Sequence, residues 1–233
     1  MKAIDRARQI TFLAIFGWFC YYTAIYADFN PYPKWLNEKH KEMWKGAGID
    51  ESMLQDGDLV LRHSKGFVSD AILSFSTREP EFSHSGVVKK VNGKAYVYHA
   101  TGGEEHVTND MKRDHISLYC HPAAVFKFGI FRYDLPKEEM DQFMGIMDAN
   151  YEKGVQFDLD FDMTTDETMY CSEMIYKAME EVRGKEGNFL ELSTVGHKPY
   201  VAIDDLYLNE HTTELYRYEY ELDVKKELDP NGE

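Results

Sequence analysis

Asn92-Gly93 is the tightest constraint in this sequence. It separates two β-prone runs, residues 83–91 and 94–100, and both positions of a two-residue hairpin turn demand a positive φ that Asn and Gly accept readily. Such a turn fixes the register: Val91 must face Lys94, Gly86 falls opposite His99, and His84 falls opposite Thr101. His84 and His99 become diagonal neighbours on one face, about 7–8 Å apart at the backbone and within reach of one another's rings. Val88 and Val97 share that face. The histidines therefore project from an apolar surface, with Gly86 between them leaving room for a ring or a substrate.

A second pattern supplies a nucleophile. Residues 168–182 carry an apolar stripe at positions 171, 174, 175, 178, 179 and 182, which predicts a helix with Cys171 at the head of its inward face. Thr168 is a suitable N-cap, and Thr165 or Asp166 would also serve. A thiol in the first turn feels the positive end of the helix and its unpaired N–H groups, which lower its pKa. The cysteine's own N–H is a natural oxyanion donor. The roles follow: Cys171 attacks a carbonyl, His84 takes up and returns the proton, and His99 orients His84. Tyr170, or Asp58 at the start of a predicted strand, is a candidate second oxyanion or substrate contact. A single inward cysteine is ordinarily a small core residue, and a single strand histidine a core or rim group. The argument for catalysis is their combination.

The remaining elements fill in an α+β pattern. Residues 57–63 alternate and read as a first strand, 125–133 as another, and 214–224 as a closing one. Residues 67–76 have apolar positions at helical spacing (Phe67, Val68, Ala71, Ile72, Phe75), and 136–149 form a helix with Met140, Phe143, Met144 and Met147 on one stripe. Strands cluster in the middle with helices on both sides, so the expected fold is an antiparallel sheet or small barrel with helices packed on one side.

The N-terminus sets the compartment. Lys2, Arg6 and Arg8 precede an uncharged run from Ile10 to Ala27, which reads as a signal peptide or membrane anchor. The expected organisation is a leader or anchor (1–27), a linker and helix (28–55), the main domain with the Cys-His site (56–224) and a charged tail (225–233). A periplasmic, secreted or membrane-anchored protein follows, with membrane association through the N-terminus. The net charge of −15 argues against nucleic acid or anionic lipid as main partner. Three cysteines, Cys20, Cys120 and Cys171, make neither a disulfide framework nor a zinc knuckle.

Phe82-Ser83-His84-Ser85-Gly86-Val87-Val88, then Tyr98-His99-Ala100, then Tyr170-Cys171-Ser172-Glu173-Met174-Ile175-Tyr176 resemble the permuted NlpC-type papain-fold hydrolases. That group includes the YiiX-type bacterial proteins and the lecithin retinol acyltransferase-like proteins. Its histidine strand precedes the cysteine helix, as in this chain, and Gly57-Asp58-Leu59-Val60 resembles its opening strand. The resemblance spans about residues 56–179. It implies a permuted papain-like domain with His84 as base and Cys171 as nucleophile. Many YiiX-type members carry Glu where this chain has His99, whereas the acyltransferase-like members use a second His, which leaves the substrate class open.

The expected reaction is thiol-dependent cleavage of an amide or peptide bond, in the cell envelope given the leader, with no cofactor. The alternatives are an acyltransferase or lipid ester hydrolase of the same fold, a catalytically inactive binding module, and a zinc site formed by His84, His99 and Cys171. The substrate is a peptide or an acyl-containing molecule. Cys120 sits beside Pro122 in a loop and reads as non-catalytic. Asp158, Asp160, Asp162 and Asp166 alternate like calcium ligands but lack the glycine and glutamate of an EF-hand, so they read as a solvated loop. His63, His106, His115, His197 and His211 have no evident partner in the sequence.

Overall fold

The computed structural model describes residues 44–101 and 110–221. The leader or anchor with Cys20, most of the linker helix, His106 and the charged tail lie outside the described residues. The chain runs β1 (Leu59–Ser64), α1 (Phe67–Leu73), β2 (His84–Val91), β3 (Lys94–His99), β4 (Lys112–His115), α2 (Ile116–Tyr119), β5 (Val125–Tyr133), α3 (Lys137–Lys153), α4 (Cys171–Arg183), β6 (Ser193–Val195), β7 (Lys198–Tyr200) and β8 (Thr212–Glu219). Six strands form one sheet in the order β4-β3-β2-β1-β5-β8, and every neighbouring pair is antiparallel. β6 and β7 form a separate hairpin.

Both residues of the β2–β3 turn have positive φ, 50° at Asn92 and 80° at Gly93. Val91 pairs with Lys94, Val88 with Val97 and Val87 with Tyr98, as the two-residue turn requires. The strand at 125–133 and the helices at 136–149 and 168–182 also appear, the helices shifted by a few residues.

β1 is central, and it is apolar on both faces because both faces are covered. Leu59 and Leu61 join Val87, Tyr98 and Phe131 in a core against Phe143 and Met147 of α3 and Met174, Ile175 and Met179 of α4. Val60 points the other way, into a core of Val88, Val97, Phe128 and Ile130 capped by Ile116, Tyr119 and Cys120. Each fully buried side chain of this size contributes about 1.5–3 kcal/mol, so the seam between α4 and the sheet is where position is best determined. β4 reads Lys-Arg-Asp-His because it is an edge, where charge discourages pairing with another chain.

α1 departs from expectation. It ends at Leu73, and Phe67, Val68 and Phe75 are exposed rather than packed in the core. Its apolar face is turned toward a cavity and solvent.

Gly86 sits where β3 crowds against β2. A Cβ there would stand 2.4 Å from Val97 Cγ1 and 2.8 Å from the Tyr98 carbonyl oxygen. Gly86→Ala is therefore expected to cost about 1–3 kcal/mol, lowering the melting midpoint by about 2–4 °C per kcal/mol. Gly145→Ala on α3, which meets open space, is expected to raise it slightly. Thermal denaturation of the two variants checks this, and equal midpoints would contradict the close packing at Gly86.

Candidate active site

Cys171 is the first residue of α4, and the residue before it, Tyr170, is the N-cap in place of Thr168, Thr165 or Asp166. The flanking residues fasten the helix start. The Tyr170 N–H donates to Glu173 Oε2 at 3.1 Å, the Ser172 hydroxyl donates to the Val201 carbonyl at 2.8 Å, and the Val201 N–H donates to Tyr170 Oη at 2.9 Å. The start of α4 is thus laced to the segment at 200–203. Glu173 is fully buried and pairs with Lys177 at 3.0 Å. Burial pushes its carboxyl up to about 6 even though Lys177 works to lower it.

The thiol itself is buried, and burial pushes its pKa above the ordinary value. Ser85, through both its hydroxyl and its N–H, and the N–H groups of Ser172 and Cys171 oppose that rise but do not overcome it. The expectation of a lowered pKa is corrected here. Removal of water from the sulfur outweighs the donors at the helix end. The Ser85 hydroxyl is itself fully buried and closes no hydrogen bond of good geometry.

The hairpin brings the two histidines together. His84 Nε2 lies 3.0 Å from His99 Nδ1, with the rings perpendicular. His99 is wholly buried, and its Nε2 lies 3.1 Å from Asp114 Oδ2 on β4. Both rings rest against Tyr119, at centroid separations of 5.8 and 4.9 Å. Arg62, the cross-strand partner of His84, backs Tyr119 from 4.5 Å above its ring and donates to its carbonyl at 2.8 Å. This packing leaves the imidazoles little freedom to rotate.

Cys171 and His84 line one cavity of about 180 Å³. Its other walls are almost wholly apolar, with Ile72 and Phe75 from α1 and its exit, Phe157 and Phe161 from the acidic loop, and Val201. Phe161 has φ 52°, a conformation that aromatic residues seldom adopt. Asp158 holds it there by accepting the N–H groups of Asp160 and Asp162 on either side. Asp162 in turn accepts the Thr164 N–H and hydroxyl, and Asp166 pairs with Lys177. The alternating aspartates are therefore turn-makers that aim a phenylalanine into the cavity.

The other singled-out residues fall elsewhere. Asp58 is buried against Arg132, with two 2.7 Å hydrogen bonds, and accepts the Gln55 N–H; it does not line the cavity. Tyr170 does line it, as a wall whose oxygen is engaged by Val201. Cys120 lies in the core next to Tyr119, on the sheet face opposite α4 and off the cavity lining, with its thiol pKa raised strongly by burial. His63 meets Asp70, His115 meets Glu51 and Ser117, and His211 packs on Phe189. Among the described residues no group of three His, Cys, Asp or Glu side chains is arranged to hold a metal ion. His84, His99 and Cys171 are not such a group, since the two nitrogens of His99 are engaged by His84 and Asp114.

Two residues at the site escaped the sequence reading. Asp114 lies on a strand too polar to recognise, although its two-residue offset from the partner of His99 places it on the histidines' face. Ser85 adjoins His84, and nothing in the sequence singles it out.

A raised thiol pKa predicts slow alkylation of Cys171 by iodoacetamide at pH 7, rising with pH to a midpoint above the ordinary thiol value of about 8.5. Ser85→Ala should move that midpoint further up, since it removes a donor that favours the thiolate. A midpoint below 7 would show a preformed thiolate and contradict the dominance of burial.

No family model and no curated protein matches this chain. Among solved structures, the chain is similar to the crystal structure of the metalloprotein YiiX from Escherichia coli O157:H7, a DUF1105 protein. The TM-score is 0.52 at 19% identity, over 71% of this chain and 98% of that one. The likeness is one of fold. The chain adopts a YiiX-like α+β fold built on a six-stranded antiparallel sheet.

Proposed function

We propose that this protein is a thiol-dependent acyl-transfer enzyme of the permuted papain-like type, acting on a carbonyl that carries an apolar acyl group. The observation that carries the reading is the sharing of one apolar cavity by Cys171 and His84, with His84 hydrogen-bonded to a second histidine. His84 takes the Cys171 proton as the sulfur attacks the carbonyl carbon, and the tetrahedral oxyanion is held by the Cys171 N–H. Collapse expels the leaving group, which takes its proton from His84 and leaves a thioester on Cys171. Water or another acceptor then loses a proton to His84 and attacks the thioester, the C–S bond breaks as the acyl group passes to the acceptor, and the departing Cys171 sulfur takes the proton back from His84. Because burial keeps the resting sulfur protonated, proton transfer and attack are coupled, which suits an imidazole base better than a standing ion pair.

The apolar walls favour the acyl ester, thioester or amide of a fatty chain over an envelope peptide, whose polar backbone would meet little to hydrogen-bond there. The YiiX neighbour is described as a metalloprotein. Among the described residues no donor set fits a metal, and no step is routed through one. Export or membrane attachment through residues 10–27 belongs to the same proposal and would place the enzyme near acyl-bearing lipids.

The test is hydrolysis of p-nitrophenyl esters from acetate to dodecanoate by wild type, Cys171→Ala and His84→Ala. Each methylene that enters the cavity adds about 0.8 kcal/mol, or roughly fourfold in kcat/KM, until the walls are filled. Cys171→Ala should abolish turnover, and His84→Ala should cost about 10²–10⁴-fold. Equal rates on acetate and dodecanoate would remove the apolar-acyl assignment. Undiminished activity in Cys171→Ala would remove the enzyme assignment itself.

A further inference from the structure

We infer that Asp114 is a positioning residue that sets the proton arrangement of both histidines and so leaves the lone pair of neutral His84 on Nδ1. The argument is a count of donors and acceptors along one chain of contacts. Asp114 Oδ2 lies 3.1 Å from His99 Nε2, and His99 Nδ1 lies 3.0 Å from His84 Nε2. An ionised carboxylate only accepts, so His99 must carry its proton on Nε2. A neutral His99 then presents a bare Nδ1, which accepts. His84 must therefore donate from its own Nε2, and its Nδ1 is left with the lone pair. Under the proposed chemistry, Nδ1 is then the nitrogen that takes the thiol proton, because Nε2 already carries one.

The reverse arrangement would be useless. If His99 carried its proton on Nδ1, His84 would accept at Nε2 and hold its proton on Nδ1, with nothing to offer the sulfur. The two arrangements are close in energy for an isolated histidine pair, and the carboxylate on β4 separates them. His99 is fully buried, so the contact operates in a low-dielectric setting where a charged acceptor counts for most. The backbone supports the placement: His99 pairs with Lys112 and Val97 with Asp114, so Asp114 is the diagonal neighbour of His99 across the β3–β4 ladder. The sheet edge thus adds a third strand to the site, beyond the β2–β3 hairpin. When His84 takes the thiol proton and becomes an imidazolium, the same carboxylate stabilises the positive charge through His99.

The assignment of a role in turnover rests on the proposed Cys171–His84 chemistry, but the proton arrangement does not. Long-range ¹H–¹⁵N NMR of histidine-labelled full-length protein reads the tautomers directly. Wild type is expected to show both His84 and His99 protonated on Nε2 when neutral. The near-isosteric Asp114→Asn should convert His99 to a mixture of tautomers, and Asp114→Glu, which keeps the carboxylate, should restore the Nε2 form. In ester turnover, Asp114→Asn should cost about 10–100-fold in the wild-type background and nothing further in a His99→Ala background. His99 protonated on Nδ1 in wild type, or tautomers unmoved by Asp114→Asn, overturns the inference. So do independent, multiplying effects of Asp114→Asn and His99→Ala. Correct tautomers in a protein with no Cys171-dependent turnover would instead leave the inference standing and sink the proposed function.

Discussion

The 3.0 Å hydrogen bond between His84 and His99 is the contact on which the arrangement of this site depends. It exists because Asn92 and Gly93 both accept positive φ, so β2 and β3 meet in one register only. A slip of one residue would turn every side chain of one strand to the other face and separate the rings. Gly86 contributes by lacking a Cβ where Val97 and the Tyr98 carbonyl crowd in. The Tyr119 ring, with Arg62 behind it, then closes the remaining space around the imidazoles.

The cysteine is held by a different set of forces. α4 is pressed onto the sheet by Met174, Ile175 and Met179, and its first turn is tied to the segment at 200–203 through Tyr170 and Ser172. This puts Cys171 at the junction of a packed core and an apolar cavity. Water is excluded from the sulfur, and the thiol is kept protonated in spite of the helix end beneath it. Burial and local donors compete here, and burial is the larger. Under the proposed chemistry, the base must act during attack rather than before it, which is why the orientation of His84 matters more than the resting charge on sulfur.

How much of this was legible in the sequence depended on whether a feature was local. The hairpin, β5, α3 and the inward stripe of α4 each follow from periodicity or turn chemistry within a single segment. The cavity does not, because α1, the loop around Phe161 and the segment at 200–203 come together only through tertiary packing. Phe67 and Phe75 have helical spacing, which reads as a core face, yet both are exposed. Asp114 was hidden because an edge strand of Lys-Arg-Asp-His carries no strand signature. The acidic run at 158–166 resembled a broken calcium loop, whereas its carboxylates serve the loop's own backbone. The raised thiol pKa was unreadable for a similar reason, since a helix end is visible in sequence and its desolvation is not.

The most direct test of the central claim is mass spectrometry of the full-length protein after brief exposure to an activated octanoyl ester. The account predicts a single octanoyl adduct, mapped as a thioester to the peptide containing Cys171 and absent in His84→Ala. An adduct on Cys120, an adduct on Cys171 that forms equally well without His84, or no adduct at all would contradict it.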